Sequence, residues 1–240
     1  TWAMMQQLSL LDGETWFRLG DKDIALHLVR SQLLAAGQNL TQVTKYLREQ
    51  LKICADIVPM SDDPVRTIVS TKEYGELPFQ HYFVKYQCQP TVTAIEFNGA
   101  STASINPQIL ALLDDPDLAQ IIICPSNPLL SIDPILALPN MREKLSVLRD
   151  KVFVVSPLIN GQAIKGPTAK IFQELNYALD QSSIAHLYQP IAKHIVIDSS
   201  DTSELNTLTP AYPDMTFHHY KTLMKTNDDK TSLANFLLHC

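Results

Sequence analysis

Two stretches of this chain, LAQIIICPSNP and KVFVVSP, are continuous runs of apolar, β-favouring residues bounded by proline, and they constrain the fold more than any other feature. A strand with one wet face alternates apolar and polar residues, whereas a run that is apolar at every position needs cover on both faces. Parallel strands sandwiched between helices supply that cover. Helical and extended segments alternate along the rest of the chain, which predicts an α/β fold: a Rossmann-like open, mostly parallel sheet of the doubly wound type, with helices on both faces. No repeat or low-complexity linker divides the sequence, so residues 1–240 are expected to form a single α/β domain. With 45% hydrophobic and 18% charged residues, a chain of this length buries a substantial core.

Local patterns fill in the elements. TWAMMQQLSLL has helical apolar spacing at Trp2, Met5 and Leu8. Asp21 is the expected N-cap of a helix through DIALHLVRSQLLAAG, with Ile24, Leu28, Leu33 and Leu34 as its stripe and Gly37 as its stop. A second helix follows, with Thr41 as expected N-cap and Val43, Tyr46, Leu47 and Leu51 on one buried face. KICADIVPM reads as a short strand ending at SDDP, RTIVST continues extended, and TVTAIEFNGA alternates as a strand. LPFQHYFVKYQC is ambiguous between helix and strand. Further helices are expected around 133–138, 141–150 and 182–188, in GPTAKIFQELN and in KTSLANFLLH, with KHIVID as a strand.

Composition excludes several function classes. The formal charge is −6, from 19 Lys plus Arg against 25 Asp plus Glu, and basic residues form no run, so nucleic acid is not an expected partner. No stretch has the length of a membrane-spanning helix, and the first residues lack a signal-peptide pattern, so the expectation is a cytoplasmic protein with no membrane partner. Cys54, Cys88, Cys124 and Cys240 form no metal-ligand spacing and are expected as buried thiols. No G-x-S-x-G elbow is present, which argues against a serine hydrolase. His218 and His219 are expected at surface or edge positions, and His27, between apolar helix neighbours, as a structural histidine.

Ligands of open α/β sheets bind beyond the carboxyl ends of the strands, so the loops there are the places to search. Ser126 and Asn127 follow IIICP and are flanked by prolines; they suit phosphate oxygens or a base edge, or else a rigid strand-to-helix turn. Lys165, Gly166 and Pro167 open a helix, where a lysine beside free backbone amides suits an anion, although an ordinary solvated lysine fits as well. Ser61, Asp62 and Asp63, with Asp21 and Asp23 of similar kind, offer carboxylates for a hydrated Mg2+ or simply caps for turns.

In order and separation, the strings WFRLGDKDIALHLVR, PMSDDPVRT, ICPSNPLLSIDPIL and VSPLINGQAIKGPTAK resemble the 2-phospholactate transferase family of coenzyme F-420 biosynthesis. The likeness is strong over residues 2–175 and weak beyond. It implies a Mg2+-dependent transfer of a phospholactyl or phosphoenolpyruvyl group from a guanosine diphosphate-linked three-carbon acid to the deazaflavin Fo, with GMP leaving. It also implies substrate and nucleotide contacts from Gly20, Asp21, Asp23, Ser61, Ser126, Asn127, Lys165 and Gly166, and a metal at the catalytic carboxylates Asp62 and Asp63. Trp16, Phe79, Tyr82 and Phe83 would offer an aromatic platform for the flat deazaflavin ring. The family's glycine-rich GGxGGxK-type loop and the aspartate motif after it do not occur in these residues, so N-terminal nucleotide-binding βα units are expected to be missing, with a homodimer as one way to cover the exposed edges. The competing reading is a non-catalytic regulator of the same fold that binds nucleotide-linked sugars.

Overall fold

The computed structural model describes residues 2–163 and 166–240. The chain opens with three helices, α1 (Ala3–Leu10), α2 (Asp21–Ala35) and α3 (Leu40–Gln50). An antiparallel unit follows: β1 (Arg66–Thr71), β2 (Gly75–Pro78) and β3 (Val92–Asn98), in the order β2-β1-β3. Next come α4 (Pro107–Leu113), β4 (Ile121–Ile123), α5 (Asp133–Leu136), α6 (Met141–Val147) and β5 (Val152–Val155). A small hairpin, β6 (Leu158–Ile159) and β7 (Gln162–Ala163), leads towards α7 (Thr168–Glu174) and α8 (Gln181–Tyr188). The chain ends with β8 (His194–Asp198), α9 (Leu205–Ala211), β9 (Thr216–Tyr220) and α10 (Asn227–Leu238).

The two apolar runs are β4 and β5, and they pair in parallel within a four-stranded sheet of order β4-β5-β8-β9. All four residues of β5 are buried, and their alternation shows why no polar residue is tolerated. Val152 and Val154 enter the main core with Ile195, Ile197, Ile171 and Phe172, while Phe153 and Val155 cluster with Val196 of β8 and with Leu233 and Leu237 of α10. Helices therefore cover both faces, as the apolar pattern required. Burying one such side chain contributes roughly 1.5–3 kcal/mol, so β5 alone holds several kcal/mol of sheet stability. β4 forms one edge of this sheet, with Ile122 36% exposed.

Four expectations are corrected. KICADIVPM forms no strand: Lys52 has φ 54, and Ile53 and Ile57 are exposed, so the segment has nothing to bury. Gly20 is the N-cap of α2, with Asp21 as its first helical residue. Asn39 rather than Thr41 caps α3, because its side chain and that of Gln42 complete a reciprocal capping box. The cysteines are not buried: Cys54, Cys124 and Cys240 are exposed and Cys88 is intermediate. The ambiguous aromatic segment continues β2 into a π-helical turn, His81–Lys85. Among the described residues no helix is long and apolar enough to cross a membrane.

The antiparallel unit is tied to the parallel sheet through α7. Lys170 donates from Nζ to the Pro90 carbonyl at 2.7 Å and pairs with Glu174, whose Oε2 accepts from Val92 N at 2.9 Å. That attachment carries the aromatic turn after β2 to the carboxyl end of the parallel strands.

Candidate active-site cleft

A cavity of about 890 Å³ lies at the carboxyl ends of the parallel strands. Its walls come from the loop after β4 (Pro125, Ser126, Asn127), the turn after β5 (Ser156, Pro157), the entry to α7 (Gly166, Pro167, Thr168) and the segment after β9 (Thr222–Lys225). The antiparallel unit adds Phe79 and Phe83, stacked with ring centroids 5.3 Å apart and planes inclined by 28°. The result is a mixed site. One part is apolar, with Phe79, Phe83, Leu130, Ile159 and Met224; the other presents short hydroxyl and amide side chains, with Lys225 the one charged residue among the described lining.

Ser126, Asn127 and Gly166 line this cleft, so the structure brings together the two loops singled out from sequence. Lys165 lies outside the described residues. Asn127 also does structural work. Its Oδ1 accepts from Leu129 N and Leu130 N at 2.9 and 3.0 Å, capping the turn Pro128–Ile132, and its Nδ2 donates to Thr168 Oγ1 at 3.0 Å. That last bond holds the SNP loop against the start of α7.

The remaining predicted residues lie in the N-terminal part of the chain, at the start of α2 and beside the start of α3, and among the described residues none before Phe79 lines the cleft. Asp62 Oδ1 accepts from both Thr41 N and Thr41 Oγ1, at 2.7 and 2.8 Å, so it satisfies an amide in the first turn of α3. Asn106 Nδ2 donates to the same Thr41 hydroxyl at 2.6 Å. Asp63 Oδ2 accepts from Ser104 N at 2.8 Å, while Asp63 N donates to the buried Ser61 Oγ at 3.0 Å. Gly20, Asp21 and Asp23 sit at the start of α2, where Asp21 Oδ1 accepts from Met4 N at 3.3 Å. Each of Asp62 and Asp63 gives one carboxylate oxygen to these bonds and keeps the other outside them among the described residues. A hydrated Mg2+ that takes one or two carboxylate oxygens fits such a pair. No group of three or more His, Cys, Asp or Glu residues positioned for a metal occurs among the described residues.

Of the four aromatics proposed as a platform, only Phe79 and Phe83 border the cleft. Tyr82 is fully buried, with Lys170 Nζ 5.9 Å from its ring, and burial pushes its hydroxyl well above the usual tyrosine range. Trp16 instead packs on His81, with centroids 4.8 Å apart. His218 is half-buried on β9: its Nε2 lies 3.1 Å from His194 Nδ1, while His219 and His27 are exposed.

Sequence reasoning missed Thr222, Leu223, Met224 and Lys225, because the strand TFHHY before them was not read as part of the sheet. Its β-favouring aromatic and threonine content was the available signal. It also missed the buried Asp198 and Asp201, which support the cleft from behind. Burial opposes ionisation of Asp198, but bonds from Ser200 and Thr222 outweigh it and hold its carboxyl below the usual range.

Two crystal structures of a Bacillus halodurans protein superpose with TM-scores of 0.59 and 0.57, at 11% and 12% identity, each covering 88% of this chain and 70% of that one; at that identity the likeness concerns the fold alone. The chain is 36% identical over 204 residues to the 2-phospho-L-lactate transferase of Methanosarcina mazei, covering 85% of this chain and 65% of the relative. It is 37% identical over 204 residues to the enzyme of the same name from Methanosarcina acetivorans, covering 85% and 64%. Similarity to the phosphoenolpyruvate transferase of Kitasatospora aureofaciens is 35% over 206 residues, covering 84% and 64%. The chain thus spans a little under two thirds of the length of these relatives. The family model described as 2-phospho-L-lactate transferase CofD matches residues 3–226, and this chain belongs to that family.

Proposed function

We propose that the chain belongs to a transferase that moves a phospholactyl or phosphoenolpyruvyl group from a guanosine diphosphate-linked donor to the deazaflavin Fo, releasing GMP. The observation that carries this reading is the convergence of Ser126, Asn127 and Gly166 on a cleft walled by the stacked Phe79–Phe83 pair. A flat, partly polar ring system with a hydroxylated chain needs an apolar aromatic wall for the ring and short hydroxyls and amides for the chain. Relatives named for phospholactate and for phosphoenolpyruvate are similar to the same degree, so the reading covers both acids.

Phosphoryl transfer asks a protein mainly to position an in-line attack and to offset phosphate charge. In this reading Lys225 supplies positive charge at the cleft, Ser126 and Thr168 supply hydroxyl donors, and Lys165 is assigned to phosphate charge from its sequence motif alone. Asp62 and Asp63, which lie outside the residues lining this cleft, would hold Mg2+ through the carboxylate oxygens not used by Thr41 and Ser104, and Gly20, Asp21 and Asp23 are assigned to the nucleotide by the family resemblance. When bound, the ion would neutralise developing phosphate charge. Calorimetric titration of the chain with Fo, and separately with GDP plus Mg2+, tests the reading. Saturable Fo binding that weakens about tenfold in Phe83→Ala is expected, since base-like rings lose roughly 1–3 kcal/mol without a stacking partner; no Fo binding by the folded chain refutes it.

A further inference from the structure

Two aspartates are buried three residues apart at the end of β8, and neither touches the cleft. Asp198 and Asp201 are 7% and 4% exposed. A buried carboxylate is tolerated when its oxygens are satisfied, and the partners of these two are informative. Asp198 Oδ1 accepts from Ser200 N and Oγ within its own turn, at 3.0 and 2.7 Å. Its Oδ2 reaches forward and accepts from Thr222 N at 2.8 Å and Thr222 Oγ1 at 3.1 Å. Asp201 reaches backward: Oδ1 accepts from Asn160 N at 2.8 Å, and Oδ2 from Gln181 Nε2 at 3.1 Å.

Gln181, 1% exposed, extends that contact. Its Nε2 also donates to the Leu158 carbonyl at 3.3 Å, and its Oε1 accepts from Ser156 Oγ at 2.7 Å. A carboxylate only accepts, so Asp201 fixes which end of the Gln181 amide faces it, and thereby the end that faces Ser156. Asn160 is held with φ 51, in the left-handed region, where a side chain needs local support. The segments gripped in this way are two cleft walls: Ser156, Pro157 and Ile159 on one hand, Thr222 and its successors on the other.

We propose that the turn from Asp198 to Asp201 is a positioning device that sets the placement of these two walls, with Asp198, Asp201 and Gln181 acting through the residues they hold and not on the ligand. The proposal rests on the cleft being the ligand site. It explains why one acid caps and the other lies within a single short 3-10 turn: one element refers both loops to the end of β8, so the two walls keep a fixed relation to each other.

Hydrogen–deuterium exchange of the unliganded chain provides the test. In Asp201→Ala the amides of residues 156–163 are expected to exchange at least about tenfold faster, and in Asp198→Ala those of residues 220–225, each variant sparing the other segment and the strand amides of β5 and β8. In Asp201→Asn the acceptor for Asn160 persists while the amide group opposes the Gln181 donor, so faster exchange is confined to residues 156–158; this milder change serves if an alanine variant does not fold. Fo affinity is expected to fall about 10- to 100-fold in all three, the scale of loss from a small misplacement of binding groups. Unchanged exchange in both segments of folded variants overturns the proposal, as does parental Fo affinity in a variant whose loops are loosened. Absence of Fo binding by the parent removes the functional reading alone, because exchange still decides whether the turn holds the walls.

Discussion

Replacing Asn127 separates what this residue does for the fold from what it does for a ligand. Asn127→Ala removes a cap that accepts from Leu129 N and Leu130 N and a side-chain bond to Thr168. Cap loss costs about 1 kcal/mol, and loss of a half-buried side-chain bond about another 1 kcal/mol. The expected destabilisation is therefore about 2 kcal/mol, which for a domain of this size lowers the thermal midpoint by roughly 4–8 °C. Asn127→Asp keeps the capping oxygen that accepts both bonds, places negative charge at the start of a helical turn, and lets the Thr168 hydroxyl turn to donate. Its stability should lie within about 0.5 kcal/mol of the parent, while any ligand contact made by the amide N–H is lost. Urea unfolding followed by circular dichroism measures the first quantity for both variants, and titration with GDP and with Fo measures the second. An alanine variant as stable as the parent, or an aspartate variant as unstable as alanine, refutes the capping argument.

Other outcomes follow from the same geometry. Asp62→Ala should destabilise the chain by about 1 kcal/mol through the lost acceptor for Thr41, and Asp62→Asn with Asp63→Asn should abolish Mg2+-dependent turnover in an intact relative; urea unfolding and a turnover assay check the two halves. Burial lowers the His194 and His218 imidazoles below the ordinary histidine range, so the folded state favours their neutral forms. The stability they contribute is present above about pH 6.5 and is lost as pH falls through the folded-state values; the urea midpoint should drop from pH 7 to 5, and less so in His218→Phe. Gly99→Ala should be severely destabilising, since φ is +89° and a Cβ there would lie 2.4 Å from the Pro64 carbonyl oxygen, which thermal unfolding would show as a large loss of midpoint or no folded protein.

The parallel sheet was legible because VFVV and IVI are buried on both faces, a condition that leaves its mark at every residue, and because the edge strand IIIC is apolar throughout even though Ile122 and Cys124 are exposed. The antiparallel unit was not legible as a separate sheet. Its strands carry mixed exposure, as in β1, where only Val69 and Thr71 are buried, and pairing between strands leaves no local trace. KICADIVPM misled for the opposite reason: apolar content suggests a strand, but no neighbour offers Ile53 or Ile57 a surface. At the site, proline-bounded SNP and the glycine before α7 were found because backbone constraint is visible in residue type. Asp198 and Asp201 were not, because what distinguishes a buried carboxylate from a surface one is the set of distant N–H groups aimed at it.

The cleft's mixed parentage has a consequence in time. β1 and β2 are joined by a tight turn that closes within microseconds, whereas each parallel pairing must first close a long connection. The aromatic wall thus belongs to a unit that forms early, and the loops facing it belong to strands that register late. Until β9 docks beside β8 and draws Thr222 onto Asp198, the cleft that Phe79 and Phe83 border lacks the wall formed by Thr222–Lys225. A complete cleft therefore requires both kinds of pairing, so ligand binding is itself a report that the two sheets have formed and met.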